Sequence, residues 1–226
     1  MRIGTVNTKT MLWMMAILVG AALPAGCDKR PPADDVTKVG VSAERAVTVG
    51  DDFESALTDW QVVAGDWRQR TADGRGVLAQ AATDQRYPVA LWKKQRFSDV
   101  DVTVRFKPIS GRIDASGGIV LRATDGSNYY VVRANSLEDN VRLYTVIDGH
   151  RSKIAGARVD APALGQWHTL RVVAVGAHIQ AYLNDQLLID HHDETFSTGW
   201  VGLWTKADAV TDFDDLVVTG VAEASN

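Results

Sequence analysis

Adjacent carboxylates are the residues of this chain best suited to acid and base chemistry. Glu138 is followed by Asp139, and Asp193 is followed by Glu194. Two carboxyl groups hydrolyse a glycosidic bond with retention when they flank it about 5–5.5 Å apart. Neighbouring strand residues point to opposite faces of a sheet, so neither pair forms such a dyad by itself. The sequence also contains no Gly-x-Ser-x-Gly elbow and no phosphate-binding loop. Catalysis therefore stays an open question.

A second group with chemical potential is the run His191, His192, Asp193 and Glu194. Imidazole and carboxylate groups are the ligands of zinc and related ions, but consecutive histidines rarely converge on one ion without further ligands. The run follows the apolar residues 187–189, which places it at the end of a strand or in a loop. We interpret it as a solvated loop, with a transition-metal site as the alternative.

Short alternating segments must position these residues. In residues 100–107 the valines and the phenylalanine alternate with polar residues, as in a strand with one buried face. Similar runs occupy residues 118–124, 129–135, 141–148, 167–175, 179–183, 200–206 and 213–218. Turn-forming residues separate the runs, among them 125–128, Asp148-Gly149, 175–177 and Asn184-Asp185. The pattern predicts an all-β fold, a single antiparallel β-sandwich of the jelly-roll type.

The alternation also divides the strand residues into two faces. The predicted core positions are Val102, Val104, Phe106, Ile119, Leu121, Tyr130, Val132, Val141, Leu143, Val201 and Leu203. The opposite face then carries basic, amide and aromatic side chains, which could grip hydroxyl or carboxylate groups and stack on sugar rings. We predict a ligand-binding surface formed by Arg105, Arg122, Tyr129, Arg133, Asn135, Arg142, Tyr144, Trp204 and Lys206. The alternative is that these arginines only pair with acids on neighbouring strands.

The order of several short motifs carries a family resemblance. The motifs are Phe53-Glu54, residues 104–107, 117–122, 128–135, 167–172, 201–205 and 213–216. Together they resemble the concanavalin A-like lectin/glucanase superfamily, and they are most similar to bacterial laminin-G-like and 3-keto-disaccharide-hydrolase-type jelly rolls. The resemblance covers nearly all of residues 51–220 and implies the fold. It does not fix the function, because the superfamily contains lectins, glycosidases, lyases and interaction domains. The Glu-x-Asp-x-x-Glu strand of its retaining glucanases is missing here.

The resemblance also implies a possible structural Ca²⁺ between the first and last strands, as in many β-sandwich carbohydrate modules. Hard oxygen donors suited to Ca²⁺ stand at both places: Asp52 and Glu54 at the start, Asp214 and Asp215 at the end. The alternative is that these are ordinary strand-end and turn acids.

The N-terminus resembles a bacterial lipoprotein signal peptide. Arg2 and Lys9 precede an apolar run, residues 11–22, and Ala25-Gly26 stands directly before Cys27. We predict a signal peptide in residues 1–26, lipidation of Cys27, a flexible tether in residues 27–46, a β-sandwich in residues 47–221 and a disordered tail in residues 222–226. The protein would then be a membrane-anchored lipoprotein of the bacterial cell envelope. The alternative is an ordinary secretion signal with a cysteine nearby.

Charge and cysteine content exclude several functions. Without residues 1–26 the chain has 22 Lys and Arg against 28 Asp and Glu, a net charge of −6, so sequence-independent nucleic-acid binding is disfavoured. Cys27 is the single cysteine, so disulfides are excluded within the chain. We predict an envelope-tethered, carbohydrate-binding, lectin-like domain. The alternatives are a glycoside hydrolase-type sugar-processing enzyme and a non-catalytic protein-interaction domain of the envelope.

Overall fold

A computed structural model describes residues 39–223 of the protein. The predicted signal peptide, Cys27 and most of the predicted tether lie outside the described residues. The described chain forms fourteen strands: β1 Ala46–Asp51, β2 Trp60–Ala64, β3 Trp67–Ala72, β4 Arg75–Gln80, β5 Val89–Ser110, β6 Ser116–Ala123, β7 Tyr129–Asn135, β8 Asn140–Ile147, β9 His150–Arg158, β10 His168–Val175, β11 His178–Leu183, β12 Gln186–His192, β13 Gly199–Trp204 and β14 Val210–Ala222. No helix among these residues has the length and apolar character needed to cross a membrane.

The strands form one antiparallel sheet that folds back on itself through β5, which has 22 residues. The first half of β5 pairs with β2 and β13, and β13 continues the sheet through β6, β7, β8 and β9. We call this half layer A. The second half of β5 pairs with β10 on one side and β14 on the other. Layer B therefore runs from β12 through β11, β10, β5 and β14 to β1, β4 and β3. The predicted all-β sandwich is confirmed.

The main core lies between the two layers. All eleven predicted core residues belong to it, and Val102, Phe106 and Val132 are completely buried. Because side chains alternate along each strand, residues between these positions face outward from one layer or the other. A second, smaller apolar cluster covers the outer surface of layer A and contains Val89, Leu91, Val131, Tyr144 and Trp204. Layer A is thus packed on both faces.

Tight turns close the hairpins where the sequence predicts them. Asp148 and Gly149 have φ angles of 49° and 74°, and Asn184 and Asp185 have φ angles of 47° and 64°. Two successive positive φ angles characterise the hairpin turn whose twist matches that of the flanking strands, and Asn, Asp and Gly tolerate them best. These turns fix the β8–β9 and β11–β12 hairpins.

The sequence interpretation missed strands with weak alternation. These are β1 to β4, the first half of β5, β9 and β12. The sequence of β9, HRSKIAGAR, has half-buried or exposed residues throughout because β9 is the edge strand of layer A. The folded part begins slightly earlier than expected: Ala46 pairs with Val221, and Ala222 ends β14. Residues 39–45 contain no strand, although the backbone N–H of Val39 donates to Gln180 Oε1 at 3.2 Å.

His191 and His192 are the last two residues of β12, so the run lies at the end of a strand, as one of its two expected placements had it, and the loop interpretation is wrong for the histidines. β12 pairs with β11, and the pairing places His192 opposite His178 and Asp190 opposite Gln180. Asp193 and Glu194 do follow the strand as non-strand residues. The histidines extend the hairpin because the backbone hydrogen bonds of β11 need partners up to its first residue.

Candidate functional site

Seven of the nine predicted ligand-binding residues come together on or beside the outer surface of layer A. Tyr129, Arg133 and Asn135 alternate along β7, and Arg142 and Tyr144 alternate along β8. Trp204 ends β13, and Lys206 follows it. Several of these side chains are buried rather than exposed: Trp204 and Asn135 have no exposed surface, and Arg133 is 1% exposed. The surface is therefore a packed polar and aromatic layer.

The other two predicted residues lie elsewhere. Arg105 is on the outer surface of layer B, where its Nη1 lies 2.9 Å from Asp215 Oδ2 and its guanidinium lies over the Trp167 ring. Arg122 is buried at one end of the sandwich. It donates to the backbone oxygens of Ser98 at 2.9 Å, Gly176 at 2.8 Å and Phe196 at 3.0 Å. Both side chains are committed to contacts within the fold.

An aromatic cluster with a central guanidinium forms one part of the layer A surface. The rings of Tyr87 and Trp204 stack with their centroids 5.6 Å apart. The Arg151 guanidinium carbon lies 4.2 Å from the Tyr144 centroid, 5.2 Å from that of Tyr87 and 5.5 Å from that of Trp204. Three ring faces attract the cation through their negative quadrupoles. Arg151 makes no ion pair with a described carboxylate.

Beside this cluster, Arg133 is the centre of a buried polar network. Its guanidinium donates to Asn140 Oδ1 at 2.8 Å, to Glu138 Oε2 at 2.6 Å and to the Tyr144 hydroxyl at 3.2 Å. Partial burial of the Glu138 carboxyl opposes its ionisation. The hydrogen bond and the charge of Arg133 outweigh that effect and hold the pKa of Glu138 below its ordinary value. Glu138 is therefore an ionised acceptor next to a fixed cation.

Asp114 is a second carboxyl group at this surface, and its environment shifts its pKa in the opposite direction to that of Glu138. Its side chain is completely buried, accepts a hydrogen bond from Asn135 Nδ2 at 2.9 Å and lies 3.4 Å from Lys206 Nζ. Burial raises the pKa of Asp114, and the nearby charges of Arg133 and Lys206 do not offset it. The surface thus holds two carboxyl groups whose pKa values shift apart.

Several buried polar atoms at this surface have no hydrogen-bond partner among the described residues. They include Arg133 Nε, Arg151 Nη1 and Thr205 Oγ1. A buried polar group without a partner costs about 1–3 kcal/mol, so native proteins keep few of them. Their concentration on one face indicates that a polar ligand or water completes the site.

A cation without an ion-pair partner lies in the same row of residues. Across the strands, Trp204 is paired with Gly118, Gly118 with Arg133, and Arg133 with Arg142. Gly118 is buried, and a Cβ at this position would lie 3.1 Å from the Arg133 Cβ, so the row is closely packed. Arg142 is half-buried and forms no ion pair or hydrogen bond with any described residue. Its five donor groups are available to a ligand.

The same face continues past Trp200. The Lys93 Nζ lies 2.7 Å from the Trp200 ring centroid, and the Arg96 guanidinium carbon lies 4.7 Å from it. Burial lowers the pKa of Lys93, and the neighbouring charge of Arg96 adds to the effect. A cavity of about 460 Å³ opens here, lined in part by Val63, Asp125 and Trp200. The outer surface of layer A therefore includes a cavity beside Trp200.

Sequence reasoning missed three residues of this surface, Tyr87, Asp114 and Arg151, and it named Glu138 without placing it beside Arg133. Arg151 follows the Asp148-Gly149 turn, and counting pairs back from that turn would have placed it opposite Val146. Glu138 follows β7 within the short turn before Asn140, so a hairpin interpretation could also have found it. Tyr87 and Asp114 precede β5 and β6 in irregular segments. Only the tertiary structure brings those two into the site.

The four acids predicted to hold Ca²⁺ do gather between the first and last strands, but arginines accompany them. Arg75 lies 2.8 Å from Asp215, 3.4 Å from Asp214 and 3.9 Å from Glu54. Asp52 Oδ1 accepts the backbone N–H of Glu54 at 3.2 Å. Burial raises the pKa of Asp214, whereas hydrogen bonds from Arg105 and Arg75 outweigh partial burial and lower that of Asp215. The calcium site stays a prediction.

Known proteins resemble this chain over most of the described residues. Residues 50–219 match the model of the 3-keto-alpha-glucoside-1,2-lyase-like domain family. The chain belongs to this family. The resemblance to 3-keto-disaccharide-hydrolase-type jelly rolls is therefore confirmed. The family name refers to a sugar, but membership of the family does not define the activity of a protein, which depends on its site.

Three further proteins are similar to this chain. A levanase of Bacillus subtilis is 27% identical over 158 residues, which cover 67% of this chain and 21% of the levanase. The chain thus spans about a fifth of that enzyme. The carbohydrate-binding module CBM66 from Bacillus subtilis has a TM-score of 0.63 and 26% identity, covering 73% of this chain and 97% of the module. A Bacillus subtilis protein of galectin-like fold has a TM-score of 0.58 and 14% identity, and the match covers 78% of this chain and 96% of that protein.

Proposed function

We propose that the outer surface of layer A binds a saccharide. The observation that carries the proposal is the set of buried, partnerless polar atoms beside Tyr87, Trp204 and Arg151. Sugar hydroxyls donate and accept hydrogen bonds, so they could satisfy guanidinium and hydroxyl groups at once. The similarity to CBM66, which its name describes as carbohydrate-binding, supports the same function.

The charges favour a ligand rich in hydroxyl groups. Arg133 is neutralised by Glu138, and Asp114 lies beside Lys206. Arg142 and Arg151 remain without a described acid partner, so a carboxylate on the sugar would also be accepted. Because the relative is a levanase, levan is the first neutral polysaccharide to test, with an acidic polysaccharide as its comparison.

The test is affinity electrophoresis of the full chain through native gels that contain levan or an acidic polysaccharide. We expect retardation in at least one gel and loss of about tenfold in affinity for Arg151→Ala, because one charge-assisted hydrogen bond contributes about 1.5–3 kcal/mol. Arg171→Ala is the matched control, since Arg171 also lies over a tyrosine, Tyr182, but on layer B. Equal losses in both variants would place binding elsewhere. Unretarded wild-type protein would favour a protein-interaction domain.

A sugar-processing enzyme is the second candidate function. The specific observation is that Asp114 and Glu138, both near Arg133, have pKa values shifted in opposite directions. Two carboxyl groups in one site whose pKa values shift apart are the arrangement that acid and base catalysis uses. Incubation with levan, with disaccharides and with 3-keto-glucosides, followed by product analysis, tests this. Products that disappear in both Asp114→Asn and Glu138→Gln support an enzyme, and retention without products supports a binding module.

We also propose that lipidated Cys27 anchors the protein in the bacterial cell envelope. The support is the arrangement of basic, apolar and small residues before Cys27. The 18 residues 28–45 would then separate the lipid from β1, which begins at Ala46, a reach of roughly 25 Å if flexible. The anchor would keep the saccharide-binding surface near the membrane.

A further inference from the structure

The hairpin of β11 and β12 carries a group of side chains that the saccharide site does not use. His178 on β11 lies directly across from His192 on β12, and Asp190 precedes His192 by two residues on the same strand. Residues two apart on a strand share a face, so all three side chains lie on one side of the hairpin. That side is the outer surface of layer B, because Ile179 and Ala181 between them face the core.

The donor atoms of these three residues are close together. One ligand atom from each of His178, Asp190 and His192 lies within 4.8 Å of the others. The Nε2 of His178 is 2.6 Å from Asp190 Oδ1, and the two imidazole rings stack with centroids 4.2 Å apart. Zn–N and Zn–O bonds of about 2.0–2.1 Å in a tetrahedron set donor separations of roughly 3.3 Å. The side chains can reach these donor separations by rotating, without movement of the strands.

A surrounding hydrogen-bond chain fixes the carboxylate in position. Gln180 Nε2 donates to Asp190 Oδ2 at 2.8 Å, and the Tyr182 hydroxyl donates to Gln180 Oε1 at 2.8 Å. Gln180 is completely buried, so this arrangement is rigid. It holds one carboxylate oxygen and leaves Oδ1 directed at His178. Partners of this kind orient metal ligands in proteins.

We propose that His178, Asp190 and His192 bind a late first-row divalent cation, with Zn²⁺ as the type. Two imidazole nitrogens with one carboxylate suit Zn²⁺, Ni²⁺ or Cu²⁺, whereas Ca²⁺ requires six to eight oxygen ligands. The cation takes the place of the proton between His178 Nε2 and Asp190 Oδ1. Three protein ligands leave a fourth position to water. The site lies on layer B and is independent of the saccharide surface on layer A.

The test is calorimetric titration of the full chain, purified without a histidine tag, with Zn²⁺. We expect one equivalent to bind, and each of His178→Ala and His192→Ala to weaken binding at least about tenfold. His191→Ala is the matched control. His191 neighbours His192 but pairs with Ile179, so it faces the other side of the strand. The control should bind Zn²⁺ like the wild type.

A second measurement separates loss of ligands from loss of fold. Co²⁺ bound to the wild-type protein should show the visible absorption of a tetrahedral site, and addition of Zn²⁺ should abolish it. Circular dichroism of each variant without metal should match that of the wild type. Absence of the cobalt band, unchanged Zn²⁺ affinity in the His178→Ala/His192→Ala double variant, or an equal loss in His191→Ala would each overturn the proposal.

Discussion

Arg151 differs from most cations of the protein because aromatic rings, rather than a carboxylate, hold it in place. The rings of Tyr87, Tyr144 and Trp204 surround its guanidinium, and its Nη1 is buried without a partner. Such a group is oriented in advance of ligand binding, so its side chain loses less conformational entropy when a saccharide docks. This is why the Arg151→Ala variant is the most direct test of the proposed surface.

At the same scale, Asp114 predicts a specific pH dependence of stability. Burial raises its folded-state pKa above the ordinary 3.8. Between pH 3.8 and the raised pKa, the folded protein keeps a proton that the unfolded chain releases. This proton stabilises the folded protein. The stabilisation is fully present below pH 3.8 and is lost as the pH rises through the raised pKa. Asn does not titrate. The free energy of unfolding of Asp114→Asn minus that of the wild type should therefore increase with pH over this window.

Urea unfolding at several pH values between 4 and 7 measures this difference, as a series of about four curves per protein. Asp160→Asn is the control, because Asp160 is exposed and its replacement should give a difference that changes little with pH. A difference for Asp114→Asn that is flat or falls with pH would contradict the raised pKa.

At the scale of the elements, Arg122 connects three segments at one end of the sandwich. It donates to the backbone oxygens of Ser98 in β5, Gly176 in the β10–β11 turn and Phe196 before β13. Removal of this buried guanidinium deletes all three hydrogen bonds, so Arg122→Ala should lower the free energy of unfolding by about 2–4 kcal/mol. Arg142→Ala, which removes no hydrogen bond, should cost less than about 1 kcal/mol. Chemical denaturation of both variants checks the contrast, and similar values would refute it.

Gly118 on β6 tests the close packing between Trp204 and Arg133. A Cβ at this position would lie 2.9 Å from the Val132 oxygen and 3.1 Å from the Arg133 Cβ. Gly118→Ala should therefore shift Arg133, weaken polysaccharide retardation and cost about 1–3 kcal/mol of stability. Gly40→Ala, where a Cβ meets nothing within 4 Å, is the control. Undiminished retardation of Gly118→Ala would show that saccharide binding does not depend on the position of Arg133.

At the scale of the whole molecule, the lipid anchor is tested by the fate of Cys27. Cys27→Ser should abolish incorporation of labelled palmitate in the producing bacterium, because only the thiol accepts the lipid. Asp28→Ala should still be labelled. Lipid incorporation by the Cys27→Ser protein would disprove the anchor, and an unlabelled wild type would indicate an ordinary secretion signal.

Much of the fold followed from the sequence because each central strand has one buried face. Period-two alternation in residues 100–107 and in β6, β7, β8 and β13 identified the core, and residues such as Asp148-Gly149 identified the turns. Edge strands such as β9 lack that signal, since neither of their faces is fully buried. The predicted site lacked Arg151 for the same reason, since this residue lies on β9.

Tertiary packing decided which polar residues meet. The sequence determined an all-β chain, its core residues and the face that carries Arg133, Tyr144 and Trp204, since alternation is a local property. It could not separate Arg105 from that face, because β5 crosses from layer A to layer B and its two halves present different surfaces. The sequence also could not show that Arg122 donates hydrogen bonds to backbone oxygens in segments distant along the chain.

The β11–β12 hairpin shows the limit most clearly. Counting residues from the Asn184-Asp185 turn pairs His178 with His191. The structure instead pairs His178 with His192, because a β-bulge between Ala181 and Tyr182 shifts the register by one residue. The shift lets Leu188 and Ile189 both pack in the core, and a single extra residue moves every later side chain to the other face. The sequence supplied the histidines, and core packing decided which of them faces Asp190 and His178.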